Sequence, residues 1–194
     1  MLTGLLWFLL ALVPLVFLQR LLHREIQAVF LISTRHPGLT VGLFSMLFFP
    51  GVLLHELSHF LVAKLLGVRT GGFSLLPQIL PDGRLILGYV ETQRTDVVRD
   101  SLIGLAPLVA GGLFVAYASI YKLNLLLLWQ TLQNGQTDLF LDALNAIPSV
   151  NDFPLWFYLT FAVSSTMLPS ASSRHAWTPL AVWVIGILAL ALFA

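Results

Sequence analysis

Two histidines four residues apart, with a glutamate directly after the first, are the residues best placed to do chemistry. They form His55-Glu56-Leu57-Ser58-His59 inside an apolar run, Leu39–Gly67, that carries no Asp, Glu, Lys or Arg before Glu56. On a helix, positions i and i+4 stack on one face, so both imidazoles can share one metal ion. The chain has no cysteine, so a metal must be held by His, carboxylate or water, and zinc suits the pattern. Glu56 lies roughly 100° around the helix from His55, within reach of the metal site but not itself a ligand. That is the general-base position of a zinc hydrolase. Two His and a Glu at membrane depth are costly unless they pair, bind a metal or line a wet cavity. The plain alternative is a pair of core histidines satisfied by neighbouring carbonyls.

The elements that must hold these residues follow from composition. Of 194 residues, 58 % are hydrophobic and only 10 % charged, against about 25 % charged in an ordinary soluble domain. The mean hydropathy is +0.90. This reads as one integral, multi-pass membrane domain over residues 1–194. A net charge of +1 gives no reason to expect a nucleic-acid partner.

Five apolar segments are long enough, or nearly so, to cross about 30 Å of hydrocarbon: 2–18, 39–66, 101–121, 153–169 and 177–193. The first reads as a retained transmembrane helix, because its first basic residue, Arg20, follows the run and no Ala-x-Ala site precedes it. In the second, Pro50-Gly51 predicts a helix restarting at Pro50 and ending at Gly67, with the histidine pair in its first turns. Residues 19–35 mix charges with helically spaced apolar residues and predict an interfacial amphipathic helix, its histidines serving solubility.

Residues 73–91 predict a β-hairpin at the membrane edge. Two β-type runs, Phe73–Leu80 and Arg84–Glu91, flank Pro81-Asp82-Gly83, where Pro presets φ and Gly supplies φ > 0. Gly104, Ala106, Pro107, Ala110, Gly111 and Gly112 give the third span a small-residue packing face. Residues 122–152 read as a half-embedded linker. Basic residues fall on both sides of this arrangement, and their excess does not decide its orientation.

With HELSH inside a span, a hairpin after it, and Gly104-Leu105-Ala106-Pro107-Leu108-Val109-Ala110-Gly111 opening the next span, the chain resembles the site-2 proteases. These are intramembrane zinc metalloproteases, and the chain looks like a small bacterial-type member. The resemblance implies a helical core with a small β element, a place in a bacterial cell membrane, and cleavage of transmembrane protein or peptide substrates. It also implies Zn2+ held by His55, His59 and a distant Asp, with Glu56 catalytic. In the family that Asp closes an Asn-x-x-Pro-x-x-x-x-Asp-Gly segment. Asn145-Ala146-Ile147-Pro148-Ser149-Val150-Asn151-Asp152 is similar, with Asp152 one position early and Phe153 in place of Gly. Ser165–Ser173 has the right length but a Ser at each end, which would leave Ser173, water or His175 to complete the shell. A degenerate relative that binds metal or partner helices without proteolysis is the alternative of a different class.

Overall fold

The computed structural model describes residues 2–79, 85–93 and 95–167. It is mostly helical, in the order α1 (Leu2–Thr34), α2 (Pro37–Leu65), β1 (Thr70–Ser74), β2 (Gln78–Ile79), β3 (Leu85–Ile86), β4 (Tyr89–Thr92), α3 (Val97–Tyr117), a π-helical turn (Ala118–Lys122), α4 (Leu125–Gln133), α5 (Thr137–Ala146), a 3-10 turn (Ile147–Ser149) and α6 (Phe153–Thr166).

Among the described residues, two helices are long and apolar enough to cross a membrane, Pro37–Leu65 and Val97–Lys122. The five expected spans are not what these residues contain. The first expected span and the expected interfacial helix are one continuous helix, α1, because nothing between Leu18 and Arg20 interrupts helical hydrogen bonding. Its His23 is no solubility residue: the ring packs on Phe44 and Phe48 at 5.5 and 4.7 Å. The expected fourth span has 14 helical residues, about 21 Å at 1.5 Å per residue and short of a crossing. The fifth, 177–193, lies outside the described residues. The expected linker is two short helices, α4 and α5.

At the start of α2, His36 is the N-cap, its side chain accepting from the Leu39 N–H, with Pro37 in the first turn. The expected restart at Pro50 does not occur, and α2 runs through it. A proline in mid-helix is tolerated in membranes where neighbours serve the loosened turn. Here the Tyr158 hydroxyl donates to the Leu47 carbonyl at 3.0 Å. The helix ends where expected: Gly67 takes φ +69, and the Val68 N–H reaches back to the Ala63 carbonyl at 2.9 Å, closing a Schellman-type stop.

Packing runs along α2. Phe44, Phe48 and Val52 form the core cluster, covered by Ile26 and Phe30 of α1, Phe161 of α6, and Leu75 and Leu87 of the β region. Met46, 76 % exposed in mid-helix, faces outward as a lipid-facing residue would. Glycines set the closest approaches. A Cβ at Gly51 would collide with the Ala162 carbonyl and Thr166, and one at Gly111 would lie 2.6 Å from Met167 Cβ. The end of α6 is thereby wedged between α2 and α3, as small residues permit in lipid.

The hairpin is one antiparallel excursion split into two ladders. Phe73 pairs with Val90 and Ser74 with Tyr89; Gln78 pairs with Ile86 and Ile79 with Leu85. The β1–β4 register slips by one residue between Thr70 and Phe73, and Leu75 and Leu87, between the ladders, pack onto the core cluster of α2. The expected turn at Pro81-Asp82-Gly83 lies outside the described residues.

Candidate metal centre

His55, Glu56 and Ser58 are buried on α2, and His59 is half-buried one turn on. The two imidazoles meet as their i, i+4 spacing requires, Nε2 to Nε2 at 3.2 Å. Each ring is held from behind by a backbone carbonyl. His55 Nδ1 lies 2.7 Å from the Thr166 carbonyl oxygen, and His59 Nδ1 lies 2.8 Å from that of Ile103. A carbonyl can only accept, so both Nδ1 atoms carry the proton, and the two Nε2 atoms face one another.

Both carbonyls are available for reasons visible in the sequence. Thr166 is the last residue of α6, where the final carbonyls of a helix have no intrahelical donor. Ile103 lies inside α3, but the residue four on is Pro107, which has no N–H to give it. The small-residue segment Gly104–Gly111 thus does two things. It lets α6 approach, and it frees the carbonyl that orients His59.

This arrangement fits a metal. Two imidazole nitrogens each about 2.05 Å from a tetrahedral zinc stand about 3.3 Å apart, close to the separation observed. Metal-bound histidines typically donate their other N–H to a carbonyl or carboxylate, which fixes tautomer and ring orientation. His55 and His59 meet both conditions. The core-histidine alternative accounts for the two carbonyl bonds and, with one proton shared between the rings, for a hydrogen bond between the two Nε2 atoms; a metal would take the place of that proton.

Glu56 lies beneath the hairpin. A Cβ at Gly88 would stand 3.0 Å from Glu56 Cγ, 3.1 Å from Val52 Cγ1 and 3.1 Å from the Ser74 carbonyl oxygen. Glycine there lets the ribbon lie close on the glutamate, and any side chain would push its neighbours back by a few tenths of an ångström. Among the described residues, no hydrogen bond or ion pair engages the Glu56 carboxylate. Glu91, the other glutamate downstream, is occupied on β4, where its carboxylate accepts from the Gly72 N–H at 3.1 Å.

The structure does not bring Asp152 to the histidines. Asp152 sits at the N-cap position of α6 with φ 56 and makes no side-chain cap bond. Thr166, which touches His55, is at the other end of the same helix, 14 residues or about 21 Å away. Among the described residues no group of three or more His, Cys, Asp or Glu side chains gathers around a common point. Ser173 and His175, the other candidates, lie outside the described residues.

No family model, curated protein or solved structure matches the chain.

Proposed function

We propose that this chain is an intramembrane zinc metalloprotease of the site-2 type, a multi-pass protein of a bacterial cell membrane acting on transmembrane substrates. The observation that carries the reading is the histidine pair: two Nε2 atoms meeting at 3.2 Å, each ring held from behind by a carbonyl, beside a buried glutamate whose carboxylate nothing engages among the described residues. Bound there, zinc supplies Lewis-acid polarisation of a scissile carbonyl and acidifies water towards neutral pH. His55 and His59 hold it. Glu56 takes a proton from the attacking water and returns it to the departing amide nitrogen.

The hairpin serves the substrate. A helical segment hides its amides in internal hydrogen bonds, and in lipid it unwinds only where other partners are offered. Residues 85–90 lie against the glutamate through Gly88 and offer those partners by strand addition. With Asp152 remote from the pair, the remaining positions of the zinc shell fall to Ser173, His175 or water.

The test is Glu56→Gln, assayed with fluorogenic transmembrane peptides in detergent micelles. Zinc content stays at the wild-type level, and cleavage falls by about 10²–10⁴, the usual worth of a general base. Wild-type cleavage by this variant rejects the assignment.

A second reading rests on one observation, that only two ligating side chains meet among the described residues. In that reading the chain holds metal or a partner helix and does not cleave. Its signature is a wild-type protein that carries zinc yet matches Glu56→Gln in every peptide assay.

A further inference from the structure

The connection between α3 and α6 carries more exposed apolar surface than a connector needs. Leu126, Leu127, Trp129 and Leu132 of α4 and Leu139, Leu141 and Leu144 of α5 are all exposed. These helices make their main contacts with each other and with the turns that flank them. At nine and ten residues they are about 14 and 15 Å long, half of what a crossing requires.

Their polar residues are segregated. Asp138, Asp142 and Asn145 fall within about 60° of arc on α5, and Gln130 and Gln133 within about 60° on α4. The rest of each circumference is apolar or small, apart from Thr131, buried and bonded to its own helix, and Thr137 at the start of α5.

The root of this hairpin has the marks of a membrane boundary. Lys122, at the end of a helix able to cross, places its Nζ 5.1 Å from the Trp156 ring and 6.0 Å from the Tyr117 ring. Tyr117 packs tilted against Tyr121 at 5.5 Å and edge-on against Trp156 at 6.1 Å. Aromatic rings with a lysine reaching past them sit where hydrocarbon gives way to headgroups. Left-handed residues interrupt the chain at Asn124, φ 54, before α4 and at Gly135, φ 66, between α4 and α5.

We propose that the α4–α5 hairpin lies in the bilayer interface as a monotopic element, its apolar faces in acyl chains and its carboxylates in water. Residues 123–152 contain three Asp and no Lys or Arg, so apolar burial holds it there and anionic headgroups do not. This rests on α3 crossing the membrane and not on the metal site, so it stands or falls separately from the proposed activity.

The chain's lack of cysteine permits the test directly. Single cysteines at Leu139, Leu144, Asp138 and Asp142, with Met46 as the lipid reference, are spin-labelled in phosphatidylcholine vesicles with and without phosphatidylglycerol. Oxygen and a water-soluble nickel chelate then report depth. The proposal expects labels at 139 and 144 to favour oxygen as Met46 does, those at 138 and 142 to favour nickel, and no dependence on phosphatidylglycerol. Nickel access at all four positions overturns it, and so does exclusion of both reagents at 139 and 144 with spin–spin broadening, which marks a second copy. Depth that appears only with phosphatidylglycerol overturns the headgroup-independent form. Should labelled chains fail to fold, fluorescence quenching by brominated lipid measures the depth of Trp129 in the native sequence. Quenching that is lost in Trp129→Phe supports the proposal, and a Trp129 signal that brominated lipid leaves unchanged overturns it.

Discussion

Pro107→Ala isolates the feature that ties the fold of α3 to the histidine pair. In the native chain the Ile103 carbonyl has no helical donor, and His59 Nδ1 occupies it at 2.8 Å. Alanine at 107 supplies the missing N–H and pulls that carbonyl back towards the helix axis. The two consequences have opposite signs. A proline inside a helix costs about 3 kcal/mol relative to alanine, and losing two buried ring carbons returns about 1–2 kcal/mol of that. The zinc-free protein also loses the His59 bond, worth about 1 kcal/mol, so its net gain is about 0–1 kcal/mol. His59 meanwhile loses its orienting partner, and loss of such a contact typically weakens metal affinity 10–100-fold, or about 1.4–2.7 kcal/mol. Thermal unfolding of chelator-treated protein in detergent reads the first effect, and competition with a zinc chelator reads the second. A higher Tm with unchanged zinc affinity refutes the reasoning: the carbonyl's second lone pair would then serve both donors, and Pro107 would only shape the helix.

Gly88→Val, which places branched carbons where Glu56 Cγ and the Ser74 carbonyl already stand at 3.0 and 3.1 Å, should abolish cleavage while leaving zinc content intact; normal cleavage would show that strand and glutamate are not coupled. Proline at outward-facing amides of residues 85–90 should reduce cleavage with zinc and detergent stability unchanged, and normal cleavage there would reduce the hairpin to a cap. Asp96, the N-cap of α3, accepts from the Arg99 N–H at 3.0 Å, and that bond holds its carboxyl below the usual carboxylate range. A depressed folded pKa stabilises above the unfolded value, about 3.9, and the gain is lost as pH falls through the folded one. Asp96→Ala should therefore lower Tm at pH 7 but match wild type in strong acid, and an equal deficit at both pH values would assign the loss to packing.

Spacing made the centre of the site legible, because i, i+4 on a helix fixes where His55 and His59 point whatever surrounds them. The stop at Gly67 followed from the backbone freedom of glycine, and the antiparallel ribbon from the two β-type runs, signals that are equally local. What could not be read were contacts between distant segments: Thr166 behind His55, Gly88 over Glu56, His23 inside an aromatic cluster. Two of the carbonyls left traces. A proline four residues past Ile103 announces a free carbonyl, and a helix ending at Thr166 announces another, though neither says which side chain will use it. Asp152 failed for the complementary reason. Its residue type suits a ligand, but it stands at the start of α6, and the whole length of that helix separates it from the end that meets the histidines. The span count failed because hydropathy alone does not register that α1 continues through its charged turn or that α6, which starts at Phe153 as expected, stops at Thr166.

Metal analysis of the purified chain, wild type beside His55→Ala, His59→Ala, Asp152→Ala, Ser173→Ala and His175→Ala, goes to the centre of the matter. One zinc per chain in wild type and in Asp152→Ala, with loss in either His55→Ala or His59→Ala, is the expected result. A drop in Ser173→Ala or His175→Ala would identify the completing ligand. Wild-type protein carrying no stoichiometric zinc after purification and zinc addition, or a His59→Ala variant that keeps it, would contradict a metal centre at this pair.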